Sequence, residues 1–200
     1  TLAVTAGIEE IVKTLFEALL LVIIVVFIFL QGWRATLIPL LAVPVSLIGT
    51  FAIFPLLGFS INTLSLFGLV LAIGLVVDDA IVVVEAVEHH IEQGMTPRDA
   101  TLKAMQEVSG PVVAIALVLS SVFIPTIFIP GITGSLYQQF AVTIAVSVCI
   151  SAFNALTLSP AIASLILRPK GETRGPLGAF YKWFNNMFGN ATNLYVRICG

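Results

Sequence analysis

Asp78 and Asp79 stand side by side in the run Leu64 to Val84, which holds no other charged residue. An ionised carboxylate in hydrocarbon costs several kcal/mol unless it is paired or neutralised, so two placed together there mark a functional site. The chemistry open to them is proton binding. A coupled carboxyl pair takes up a proton from one side and releases it on the other when its surroundings alternate. A helix turns about 100° per residue, so the two side chains address neighbouring sectors. That geometry speaks against an aspartyl-protease dyad, in which two carboxyls grip one water. The preceding Gly74-Leu75-Val76-Val77 also lacks the Gly-x-Gly-Asp pattern of intramembrane proteases. The reading is a carrier rather than an enzyme, with no catalytic residues.

Other polar groups in apolar surroundings carry weaker signals. Glu17 lies one turn inside the first apolar run. It reads either as a carboxylate snorkelling to the outer interface or as a station on a proton path. Gly68, Ala72 and Gly74 let a neighbouring helix approach closely, and Gly74 falls one turn before Asp78 on the same face. Glu85, seven residues after Asp78, offers a carboxylate where that helix meets water. His89 and His90 with Glu85 and Glu92 resemble a ligand cluster, but nothing completes it, and they read as a solvated helix end without a metal. Asn154 reads as a hydrogen-bonding contact to another helix rather than an ion ligand. No basic residue lies in the core of any apolar run, so a cation to balance the aspartates must come from outside this chain.

These residues need elements to hold them, and composition names the class. Hydrophobic residues make up 58% of the 200 and charged residues 10%, against roughly a quarter charged in soluble domains. The fold class is an all-α membrane protein. A spanning helix needs about 20 mostly apolar residues, and five stretches qualify: 11–30, 37–56, 62–84, 111–129 and 140–167. Pro39, Pro44, Gly49 and Pro55 in the second predict bends that neighbouring helices accommodate. Thr96-Pro97 with Asp99 predicts an N-cap and a short helix from Pro97 to about Val108.

Of the nine Lys and Arg residues, eight fall on one side of these runs and Lys13 on the other. The positive-inside rule then places 1–10 outside, as the end of an external segment, with the turns 57–61 and 130–139. The connection 85–110 and the tail 168–200 are cytoplasmic. In the tail, Leu177, Tyr181, Phe184, Phe188, Ala191 and Tyr195 recur every three or four residues, predicting an amphipathic helix for the membrane surface or for a soluble neighbour. The net charge of −2 and the lack of a basic stripe exclude a nucleic-acid partner. Cys149 and Cys199 fall in different compartments and imply no disulfide. The chain opens at Thr1 without a start or leader pattern and reads as an excerpt of a longer parent.

The stretch Gly58 to Glu85, GFSINTLSLFGLVLAIGLVVDDAIVVVE, closely resembles the fourth transmembrane helix of resistance-nodulation-division (RND) transporters. With Gln31 through Pro39 and the tail, the likeness extends along nearly the whole chain. It is most similar to the hydrophobe/amphiphile efflux branch, the AcrB-like multidrug pumps; the paired Asp78-Asp79 separates it from heavy-metal exporters and from protein-export accessories. Ala86 and His89 depart mildly from the pattern. The resemblance implies helices two to six, plus the interfacial helix, of a twelve-span parent with large periplasmic domains. It further implies a homotrimer in the inner membrane of a Gram-negative bacterium, joined to a periplasmic adaptor and an outer-membrane channel. Amphiphilic small molecules would be its substrates, membrane lipids its surroundings, and the proton-motive force its energy source, with no cofactor. Asp78 and Asp79 would bind protons against a Lys and an Arg from the parent's second half. Export of lipids or metal ions by the same mechanics, and a membrane scaffold or sensor without transport, are the alternatives.

Overall fold

In the computed structural model, residues 2–59, 62–169, 186, 187 and 192 are described. The chain divides into two units, Thr1–Arg168 and Pro169–Gly200. In the second, residues 186, 187 and 192 are helical; the amphipathic pattern expected there falls otherwise outside the described residues.

The first unit is helical throughout: α1 (Leu2–Leu30), α2 (Trp33–Ile53), α3 (Thr63–Glu92), α4 (Pro97–Phe123), α5 (Gly131–Leu156) and α6 (Leu158–Ile166). Short 3-10 turns, Phe54–Leu57 and Ile124–Phe128, extend α2 and α4. Five segments are long and apolar enough to cross a membrane, with α5 and α6 forming the fifth. Among the described residues there is no strand.

Local chemistry sets the ends of α3. At its start Asn62 Oδ1 accepts from the Ser65 N–H at 2.9 Å, while the Asn62 N–H donates to Ser65 Oγ at 2.9 Å, a reciprocal cap that occupies two orphan donors. At its finish Gly94, at φ +93°, takes the left-handed position that glycine occupies without strain. Its N–H reaches the Ile91 carbonyl and the Met95 N–H the His90 carbonyl, closing the last turn. The helix thus continues eight residues past Val84, where the apolar run stops.

Three elements differ from the expected spans. The short helix expected to end near Val108 is one piece with the fourth span, because α4 runs unbroken through Gly110 and Pro111. A proline there forfeits one backbone bond, and the Ser109 hydroxyl donates to the Met105 carbonyl in the same turn. The turn expected over 130–139 is helical from Gly131, so α5 starts nine residues before the expected span, whose apolar segment begins at Tyr137. That span breaks at Thr157, whose φ −122° and ψ −66° leave the helical region. Pro160 then falls in the first turn of α6, where a missing N–H costs nothing.

The core sits around α3, which packs against α1, α2, α4, α5 and α6. Ile73, Val76, Val83, Val84 and Val87 of α3 are buried with Ile144 and Val148 of α5 and Ile38 and Val43 of α2. Lipid is as apolar as these side chains, so close packing and buried hydrogen bonds hold the helices together. Gly68 makes the α3–α5 approach possible: a Cβ there would lie 3.2 Å from the Phe140 carbonyl oxygen. The outward faces of α1 and α4, including Leu20, Ile24, Leu117 and Val122, are exposed and apolar, as a bilayer requires.

Candidate functional site

The two aspartates lie at the middle of the 30-residue α3. One helical step separates their surroundings. Asp79 is buried, at 6% exposure, on the side that faces α5. Its Oδ2 accepts a 2.6 Å hydrogen bond from the Ser151 hydroxyl, which also lies 3.2 Å from the Val76 carbonyl oxygen. Asp78 is exposed. Among the described residues, the Lys13–Glu17 ion pair and the His90–Glu107 contact lie elsewhere, and neither aspartate pairs with a cation.

Asp78 belongs to a stripe. Phe67, Leu71, Gly74, Asp78, Val82 and Glu85, spaced by three or four, are all exposed, whereas Ala72, Val76, Asp79 and Val83 on other faces are buried. One face of the central helix therefore lacks a neighbour within this unit. Gly74, placed by sequence among the close-packing residues, lies on that open face, and a Cβ there would meet nothing within 4 Å. Gly68 and Ala72 are buried.

Glu17 lines a groove of about 570 Å³ between α1 and α3, with Leu21 and Val22 on one wall and Phe67, Leu71 and Gly74 on the other. Its carboxylate pairs with Lys13 at 3.9 Å, both side chains being largely exposed. The groove reaches Gly74, one turn above Asp78, and this places Glu17 and the exposed aspartate along one open side.

The histidines differ from the expected solvated helix end. His89 is exposed and bonds Gln93 at 2.8 Å. His90 is buried, its Nε2 3.1 Å from Glu107 Oε2 on α4, and among the described residues its Nδ1 has no partner. The solvated end was expected too early, because α3 stays packed on α4, with His90 and Ile91 buried.

Ser151 is the residue that sequence reading missed. It belongs to a buried polar row on α5: Thr143, Ser147, Ser151 and Asn154. Ser147 Oγ lies 3.0 Å from Thr50 Oγ1, and Asn154 Nδ2 donates to Ser46 Oγ at 2.9 Å, so the row holds α2 as well as Asp79. Asn154 is thereby a packing contact. The available signal was the four-residue spacing of hydroxyls in a span.

Fold and site together define a multi-pass α-helical membrane protein with a carboxylate pair at mid-span. The profile of the AcrB/AcrD/AcrF family matches residues 1–200. The chain is 51% identical over 199 residues to the multidrug export protein AcrF of Escherichia coli K12, an alignment covering 98% of this chain and 19% of that protein. It is 48% identical over 202 residues to the solvent-resistant pump membrane transporter SrpB of Pseudomonas putida, covering 100% and 19%. Over 191 residues it is 48% identical to the multidrug resistance protein MdtF of Escherichia coli K12, covering 95% and 18%. The chain belongs to the AcrB/AcrD/AcrF family of RND efflux transporters. It spans about a fifth of the length of these curated relatives.

Proposed function

We propose that this chain is the proton-coupling part of an inner-membrane drug/proton antiporter, with Asp78 and Asp79 as its proton-binding residues. The observation that carries the reading is the asymmetry of the pair. Asp79 is bound inside the unit by Ser151, while Asp78 opens onto a helix face that has no neighbour here. A carboxylate on an unpartnered face at mid-membrane calls for a cation from an incoming helix. Residues of the full-length protein outside this chain would supply it, and the open stripe from Phe67 to Glu85 is where that helix would seat. Protonation weakens such a pairing, and the helices then rearrange. Each elementary charge moved through 100 mV supplies about 2.3 kcal/mol, which gives transport its energy without a cofactor. Glu17, along the groove that leads toward Gly74, is proposed as the outer station of the path.

The names of the relatives support a substrate class of drugs and solvents. A homotrimer, a periplasmic adaptor and an outer-membrane channel complete the proposed assembly. Its residues 1–10 lie on the periplasmic side and 168–200 on the cytoplasmic side.

The test is dye accumulation in drug-sensitive cells expressing the full-length protein at matched levels. Wild type is expected to keep accumulation low, and Asp79→Asn or Asp78→Asn to raise it to the level of cells without the pump, as a protonophore does. Efflux that survives Asp79→Asn sinks the coupling assignment. High accumulation in every strain, across dyes, turns the reading to lipids, metal ions or a non-transporting scaffold.

A further inference from the structure

Ser151 stands between two acceptors with one proton to give. Its Oγ is 2.6 Å from Asp79 Oδ2 and 3.2 Å from the Val76 carbonyl oxygen, and the side chain is 2% exposed. Beside an ionised Asp79, the hydroxyl donates to the carboxylate, and the short distance is that of a charge-assisted bond. When Asp79 carries a proton, its O–H donates to Ser151 Oγ, and the serine proton turns to the Val76 carbonyl. Each form keeps one hydrogen bond between Asp79 Oδ2 and Ser151 Oγ. The proton gained by Asp79 is the only one exchanged with the surroundings; the serine keeps its own and reorients it.

We propose, resting on the coupling role given to Asp79 above, that Ser151 is a positioning residue. It holds the Asp79 carboxyl in both protonation states and makes α5 the element that feels the change. Ser151 lies in the row that binds α2 through Ser147–Thr50 and Asn154–Ser46. A reversal of the Asp79–Ser151 bond therefore acts on an α2–α5 interface that is itself keyed by hydrogen bonds. Position 151 can serve this purpose because a hydroxyl both donates and accepts. An alanine does neither, and a lysine or arginine would only donate.

The charges around the pair leave this exchange to Ser151. On α3 itself Asp78 is adjacent, and Glu85, Glu88, His89, His90 and Glu92 lie toward the cytoplasmic end. Among the described side chains, α1 brings Glu9, Glu10, Lys13 and Glu17, all toward its outer end, and α2 brings Arg34 in its first turn. The ionisable residues of α4 are Arg98, Asp99, Lys103 and Glu107 in its first three turns, those of α5 are Tyr137 and the exposed Cys149, and α6 has none.

The experiment measures substrate-coupled proton flux against pH in proteoliposomes holding the full-length protein, for wild type, Ser151→Ala, Ser151→Thr and Asp79→Asn. Ser151→Ala is expected to lower the flux and to move the pH profile to higher pH by about one unit, because only the ionised carboxylate loses a charge-assisted donor. Ser151→Thr is expected to keep the wild-type profile. A Ser151→Ala profile that superimposes on wild type overturns the proposal. Where Ser151→Ala fails to insert, Ser151→Thr is compared with Ser151→Val, two side chains of one shape that differ in the hydroxyl; identical profiles for these two also overturn it. Flux that persists in Asp79→Asn is the separate failure of the coupling role itself, whereas an inactive Asp79→Asn beside an unaltered Ser151→Ala removes only the serine's part.

Discussion

At the scale of single residues, neighbours in sequence have unlike surroundings. Asp78 and Asp79 are one example, and His89 and His90 are another. His90 is buried, its Nδ1 unpartnered among the described residues, while the Glu107 carboxylate it meets is 54% exposed. Water screens the exposed partner, so the pair itself contributes less than about 1 kcal/mol. The buried ring fills volume, and its loss costs more. His90→Ala is expected to destabilise the full-length protein by about 2–3 kcal/mol, and Glu107→Ala by less than about 1 kcal/mol. Thermal unfolding in detergent tests the order; equal losses would mean that the contact with Glu107, and not the ring's packing, ties α3 to α4. The aspartates were legible in the sequence because a charge inside an apolar run is conspicuous. Ser151 was not, since serine is common in spans and its partner lies 72 positions away.

Among the helices, small residues decide which faces approach. Gly68 and Gly74 look alike in sequence, six positions apart on one helix, yet their roles separate. Gly68→Ala must push against the Phe140 backbone oxygen, and it is expected to cost about 1–2 kcal/mol and loosen the α3–α5 contact. Gly74→Ala meets open space within this unit, so any loss it causes must come from residues outside the unit. Melting temperatures and transport of the two full-length variants distinguish the cases. Gly68→Ala should lower the first, and Gly74→Ala should lower transport with the melting temperature kept. A Gly74→Ala protein of normal transport would argue against a helix seated on the open stripe. The existence of the helices was readable from the apolar runs, and Thr96 marked the start of α4. The continuity of α4 was hidden by Pro111, a local breaker whose single lost bond the surrounding turns absorb.

For the molecule as a whole, the proposed orientation rests on its charges. Eight of nine basic residues fall on one side of the five spans. The proposed orientation puts the four residues from Gln93 to Thr96, between α3 and α4, in the cytoplasm. A fluorescent-protein fusion ending there is expected to glow, and an alkaline-phosphatase fusion ending near Phe59 to be active. The opposite pair of signals would invert the proposed topology. Five spans were countable from composition, but the open face of α3 was not, because exposure depends on how the other helices are arranged around it.

The distance along the chain between Asp79 and Ser151 also bears on how the protein is made. At about 5–20 residues per second of synthesis, the 72 positions between them take roughly 4–14 seconds. Throughout that interval α3 has left the ribosome and its buried aspartate has no α5 to receive it. An aspartate at the centre of a helix costs about 2.5–3.5 kcal/mol to insert, which the valines and leucines around it must outweigh. The apolar richness of α3 is then what keeps the helix in the bilayer until its hydrogen-bond partner has been translated.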